Sequence, residues 1–153
     1  MQTVRESLTA QARQRLLLVP AFMFLFVGGI DLPAYGQSAG QRSTRDGVYS
    51  EKQAERGRRS FETHCTECHE LAEFTGVDAI LAEREGERLW EIFDFMWSEM
   101  PEDRPSWLEP DEYADILSFL LSAYGLPAGS EPLPVDRSLL RSIRLNRPEL
   151  PGG

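Results

Sequence analysis

Cys65-Thr66-Glu67-Cys68-His69, CTECH, contains both cysteines of this 153-residue chain and one of its two histidines, the other being His64 just upstream. All the thiols and imidazoles therefore fall within six consecutive positions, and any chemistry that needs them happens there. A zinc site of the structural kind takes four ligands, ordinarily from two separated pairs, and this chain has no second pair. A thioredoxin-type dithiol belongs on a βαβ unit, for which the sequence offers no alternating strand pattern of useful length. A plain disulfide is chemically reasonable, but it gives no role to a histidine fixed directly after the second cysteine.

Covalent haem attachment uses all three side chains at this spacing. Two thiols add across the two vinyl groups of the porphyrin edge, and the two residues between them set the distance separating the sulfurs. His69 then lies beneath the ring with its imidazole aimed at the iron. The expectation is one heme c, bound through Cys65 and Cys68 with His69 as an axial ligand, the disulfide standing as the plainer alternative. His64 adjoins Cys65 and cannot reach the same axial position, so it reads as a surface or supporting residue.

Outward from the motif, the chain reads as helical. Ser50 followed by Gln53 matches a capping box, and the proline-free run to His64 predicts a helix over 51–64 in which Gly57 marks a close approach to another helix. EGERLWEIFDFMWSEM (85–100) places Leu89, Trp90, Phe93, Met96 and Trp97 at helical spacing, a stripe of unusually large side chains. Pro101 then removes Met100 from helical geometry. Pro110 suits the first turn of a further helix, whose stripe runs Tyr113, Ile116, Leu117, Leu120, Tyr124 and which stops at Gly125. The fold class is all-α.

A sixth iron ligand would come from the two methionines nearest the motif. Met100 stands at the start of a loop able to cross the open haem face, whereas Met96 lies on the core stripe, where methionine usually fills gaps. Met100 is placed first, Met96 second, and an iron with five ligands or another sixth ligand third. Haem also answers a problem of size, because the few aliphatic residues of the chain make a poor core without a large apolar cofactor.

The flanks define four segments. Residues 1–36 read as a signal peptide: Arg5, Arg13 and Arg15 precede a 15-residue apolar run, Leu16 to Ile30, and Ala34-Tyr35-Gly36 offers a cleavage site. The run falls short of the ~20 residues that span a bilayer, so no stable membrane span is expected once the signal is removed. Residues 37–48 read as a flexible leader, 49–125 as the haem domain, and 126–153 as a Pro-rich, basic C-terminal extension in extended conformation, with a short turn at SLLRSI. Export points to the periplasm.

Net charge is −9, unevenly placed: from Phe61 to Ile116 there are 17 Asp and Glu against 3 Arg, while Arg137, Arg141, Arg144 and Arg147 make the tail basic. That balance argues against nucleic acid as a partner and leaves either a solvated acidic face or a docking surface for a basic protein. No nucleophile motif, phosphate loop or acid–base pair is present, so an enzyme is not expected.

With QAERGRRSFETHCTECHE around the motif, MP at 100–101 and EYADILSFLLSAYGLPAGSEPLP through the last helix, the chain resembles class I mono-haem cytochromes c from about Tyr49 to Arg147. The last piece, with VDRSLLRSIRLNRP, is most similar to those associated with quinoprotein dehydrogenases. The resemblance implies a class I cytochrome c fold: three to four helices around one covalently attached haem, the first and last crossing at Gly57 and Phe61 against Phe119. It implies an electron carrier whose redox partners are a dehydrogenase donor and a terminal acceptor. The alternatives are a haem subunit bound permanently in a dehydrogenase complex, with the tail as its clamp, and an open-site haem enzyme, against which the Met-Pro pair argues. Glu70 departs from the glycine usual after the axial histidine. Trp107 is expected to anchor the core, or else to donate to a haem propionate.

Overall fold

In the computed structural model, which describes residues 42–149, helix α1 (Glu51–His64) begins where Ser50, in extended geometry, accepts a hydrogen bond from Gln53 N at 3.3 Å. That cap satisfies one of the donors a helix leaves open at its start. α1 ends at Cys65, whose N–H still reaches Phe61 O at 2.9 Å. The limits are those expected, but the reciprocal half of the capping box is not made. Gln53 is buried and turns away: its Nε2 donates to Leu133 O at 3.1 Å and its Oε1 accepts from Leu133 N at 2.5 Å.

Three further helices follow: α2 (Ile80–Glu83), α3 (Leu89–Glu99) and α4 (Pro110–Ala123). α4 starts with proline at its first turn, where the missing N–H costs nothing. It stops at Gly125, whose φ of +93° only glycine adopts freely; Leu126 N closes back on Leu121 O at 3.0 Å and Gly125 N on Ser122 O at 2.9 Å. Its stripe of Tyr113, Ile116, Leu117, Leu120 and Tyr124 is buried throughout.

α1 and α4 cross at Gly57. A Cβ there would stand 1.8 Å from Asp115 O, so the two backbones touch at a point no other residue could occupy. Phe61 and Phe119 meet beside the crossing with ring centroids 5.4 Å apart. Arg56 grips Asp115 with two bonds of 2.7 Å on the solvent side. On α3, Leu89, Ile92 and Phe93 are buried and Met96 is packed partly against the core, whereas Trp97 is exposed. The expected stripe thus holds for the first half of the helix only, and its last turn runs out past the core.

The ends of the described chain are not what the sequence suggests. Strand β1 (Arg42–Ser43) pairs in parallel with β2 (Ile143–Arg144), in register Arg42 with Ile143 and Ser43 with Arg144. Thr44 is wholly buried, donating to Asn146 O at 3.2 Å and accepting from Asn146 N at 3.0 Å. Between them the tail passes Tyr49, which donates to Leu126 O at 2.6 Å, and forms α5 (Arg137–Ser142), capped by Asp136 on Leu139 N. Leu126, Leu133, Leu140, Ile143 and Leu145 all belong to the core. Residues 42–48 are therefore not a flexible leader, and 126–149 are not an extended appendage. Both boundaries at 48/49 and 125/126 are corrected: one body of helices runs from 42 to 149, with a two-residue ribbon tying its ends.

The expected signal over 1–36, residues 37–41 and the last four residues of the tail lie outside the described residues. No helix among the described residues is long and apolar enough to cross a membrane.

Candidate functional site

The motif occupies the turn that follows α1. Cys65 N is the last donor of the helix, and its carbonyl then accepts from both Cys68 N (3.1 Å) and His69 N (2.9 Å). The turn folds the five residues back on themselves, so that both thiols and the imidazole leave a single loop of backbone. Cys65 and Cys68 are separate thiols, the first partly buried and the second exposed. Burial, with the Glu112 carboxylate adding to it, pushes the Cys65 thiol up to about 11.

His69 is oriented from behind. Its Nδ1 lies 3.1 Å from Glu73 Oε2; a carboxylate only accepts, so Nδ1 is the donor of this bond and Nε2 takes no part in it. The ring also packs on Phe74 at 5.7 Å between centroids, and Phe74 in turn meets Phe61 edge-on at 5.6 Å. Glu73 and Phe74 sit on a 3₁₀ turn, Leu71–Phe74, that starts from Glu70. At Glu70, the residue that departs from the usual glycine, the backbone is extended (φ −98°), which any residue tolerates, and the N–H donates to Glu73 Oε1 at 2.9 Å.

Met100 closes α3 in extended geometry (φ −123°, ψ 142°), out of the helix as Pro101 requires. Its main chain is fixed on both sides: N donates to Met96 O at 3.0 Å and O accepts from Tyr113 Oη at 2.6 Å. The loop beyond is braced by Ser106, which donates its N–H (2.9 Å) and its hydroxyl (3.1 Å) to Trp97 O.

The first turn of α4 joins the two halves. Glu112 accepts from Ser60 Oγ at 2.9 Å and lies 3.5 Å from His64 Nε2, while the next residue, Tyr113, holds Met100. Burial raises the Tyr113 phenol, and hydrogen bonds with the Leu108 and Trp107 main chain work against it. His64 thus supports the helix crossing. Trp107 is corrected: it is half exposed, edge-on to His64 at 5.3 Å and beneath the Arg104 guanidinium at 4.2 Å, so it roofs the motif's flank and anchors no core.

Sequence reasoning named Cys65, Cys68, His69 and Met100 but missed Glu73, Glu112 and Tyr113. Glu73 stands four residues after His69, a spacing that brings side chains together on an α-helix, and nothing in the sequence marked a turn there that would do the same. Glu112 and Tyr113 read only as a favourable helix start and a core residue.

Chemically, the turn offers two thiols and one imidazole nitrogen whose ring partner is already engaged. Among the described residues no group of three or more His, Cys, Asp or Glu side chains is gathered closely enough to hold an ion by itself. Cys65, Cys68 and His69 leave one turn without forming such a group, which fits attachment at the edge of a flat macrocycle better than a closed tetrahedral site. No protein-family model, curated protein or solved structure matches this chain.

Proposed function

We propose that this chain is an exported mono-haem c-type cytochrome of the class I kind, an electron carrier that passes single electrons from a dehydrogenase, of which a quinoprotein is the type suggested by the resemblance, to a downstream acceptor. The observation that carries the reading is His69, placed directly after the second thiol of CTECH and held through Nδ1 by Glu73, so that Nε2 is not used by that contact. The attached haem supplies the one-electron couple. Cys65 and Cys68 would tether it, and His69 and Met100 would ligate its iron.

The remaining residues position and protect. Glu112 and Tyr113, consecutive on α4, tie the motif's helix and the Met100 loop to the same rigid turn. Phe61, Phe74 and Phe119 form an apolar backing beside the motif. The acidic stretch from 61 to 116 gives a basic partner something to steer towards, which raises encounter rates more than it lengthens complexes. A permanently bound subunit would need a clamp, and the tail suggested for that role is already occupied by the domain's own core; the carrier is favoured for that reason.

The test is attachment. Protein produced with a working maturation system keeps its haem through acid–acetone extraction, and the Cys65→Ala/Cys68→Ala double variant releases it. A chain that takes up no haem, or gives all of it up to extraction, overturns the reading.

A further inference from the structure

The contact between His69 and Glu73 has a consequence beyond orientation, and it rests on the function just proposed. The ring packed on His69, that of Phe74, is neutral. Glu73 is different, because it places a carboxylate on the one nitrogen of His69 that an iron would not use. We infer that Glu73 is a positioning residue that also sets the reduction potential, by drawing on the Nδ1 proton of His69 so that the imidazole becomes a stronger donor to the iron.

Three observations support this. The carboxylate is fixed at both oxygens: Oε1 accepts from Glu70 N at 2.9 Å and Oε2 faces Nδ1 at 3.1 Å. It cannot swing to another partner without losing a main-chain bond. The turn carrying it is anchored, since the next residue, Phe74, is buried against Phe61. And ring and carboxylate are held by the same turn, the His69 ring packing on Phe74 at 5.7 Å between centroids. A carboxylate bonded to the free nitrogen of a ligating histidine raises that ligand's basicity and fixes its tautomer. A more electron-rich ligand stabilises ferric over ferrous iron, so the potential falls.

Glu73→Gln removes the charge and keeps one acceptor, because its single amide oxygen can replace only one of the two carboxylate oxygens, on Glu70 N or on His69 Nδ1. Glu70→Gln is the control: it removes an equal charge one residue from His69, at an exposed side chain that touches neither ring nitrogen. In haem-loaded protein, spectroelectrochemical titration should give a midpoint shifted to more positive potential in Glu73→Gln. The shift should exceed that in Glu70→Gln and persist from about 0.1 to about 1 M salt, over which the screening length shortens from ~10 to ~3 Å and a contact bond is little affected. Glu73→Asp, which keeps the charge but withdraws it by one methylene, should shift in the same direction by less. Equal shifts at positions 70 and 73, a shift that high salt abolishes, or none at all would overturn the inference while leaving the proposed function standing. Failure to retain haem in the unmutated chain would remove both.

Discussion

Gly57→Ala adds a single methyl group, and the structure gives the size of its effect. The new Cβ would lie 1.8 Å from Asp115 O and 2.3 Å from Asp115 C, where real contacts stop at about 3.0 Å. Relief requires the α1 and α4 backbones to separate by about 1.2 Å, and because the obstacle is main chain no rotamer change helps. Overpacking of this kind costs ~1–3 kcal/mol and sometimes more; alanine's better helix propensity returns ~1 kcal/mol. With the cost at the top of its range, a net loss of about 2 kcal/mol is expected. At roughly 4–8 °C per kcal/mol for a domain of about 100 residues, the midpoint should fall by about 10 °C in thermal unfolding followed by circular dichroism. Arg59→Ala, on the exposed side of the same helix, is the control and should stay within ~0.5 kcal/mol. A Gly57→Ala midpoint equal to or above the parent's would refute the reasoning, since it would mean that the helices do not meet at this residue.

Gln53→Leu strands the N–H and C=O of Leu133 in the core, and at ~1–3 kcal/mol per buried group left without a partner the loss should be about 2–6 kcal/mol by urea denaturation, with new proteolytic cleavage between 127 and 136. If Met100 is the sixth ligand, Met100→His should lower the potential and abolish the weak ferric charge-transfer band at the red end of the spectrum, while Met96→Leu keeps it; the reverse pattern makes Met96 the ligand. In haem-free Cys68→Ser protein, alkylation of Cys65 should keep accelerating as pH rises towards about 11, because burial holds the thiol protonated until then; a rate that levels off near pH 9 contradicts that burial. Stopped-flow reduction by a dehydrogenase donor should slow steeply with added salt if the acidic face steers a transient encounter, and salt-independent reduction with stable copurification would favour the bound subunit.

What could be read from the sequence was local. Ser50, Pro110, Gly125 and Pro101 each act on the backbone within a turn of themselves, and each starts or stops a helix where expected. Gly57 was legible too, because a glycine inside a helix needs a reason. Gln53 was misread because its sequence neighbourhood fits a capping box, while its actual partner lies 80 positions away. Thr44 and Asn146 look like loop residues until they are seen to satisfy one another. The apolar residues of the tail are too sparse for a periodic signal, and Leu140, Ile143 and Leu145 find their neighbours only across the whole chain. Trp97 and Trp107 show the opposite limit, since bulk and spacing suggest burial without saying whether anything stands opposite. At the site, residue type fixed the candidates, and the residues that hold them, Glu73, Glu112 and Tyr113, needed three dimensions.

The short parallel ribbon sets the order in which this molecule can be completed. β1 has no partner until Ile143 and Arg144 have been synthesised, and the Thr44–Asn146 pair spans 102 positions. Closing so long a loop is costly in chain entropy, though only by ~0.6 kcal/mol for each doubling of its length, and folds dominated by such distant pairings are slow to form. On the ribosome, α1 and the CTECH turn emerge with neither α4 nor the tail available to cover them. The thiols are thus presented on an open chain for the whole interval before residue 146 arrives, and whatever reacts with the half-covered Cys65 has its freest access then. Residues 143 to 146 decide when that interval ends.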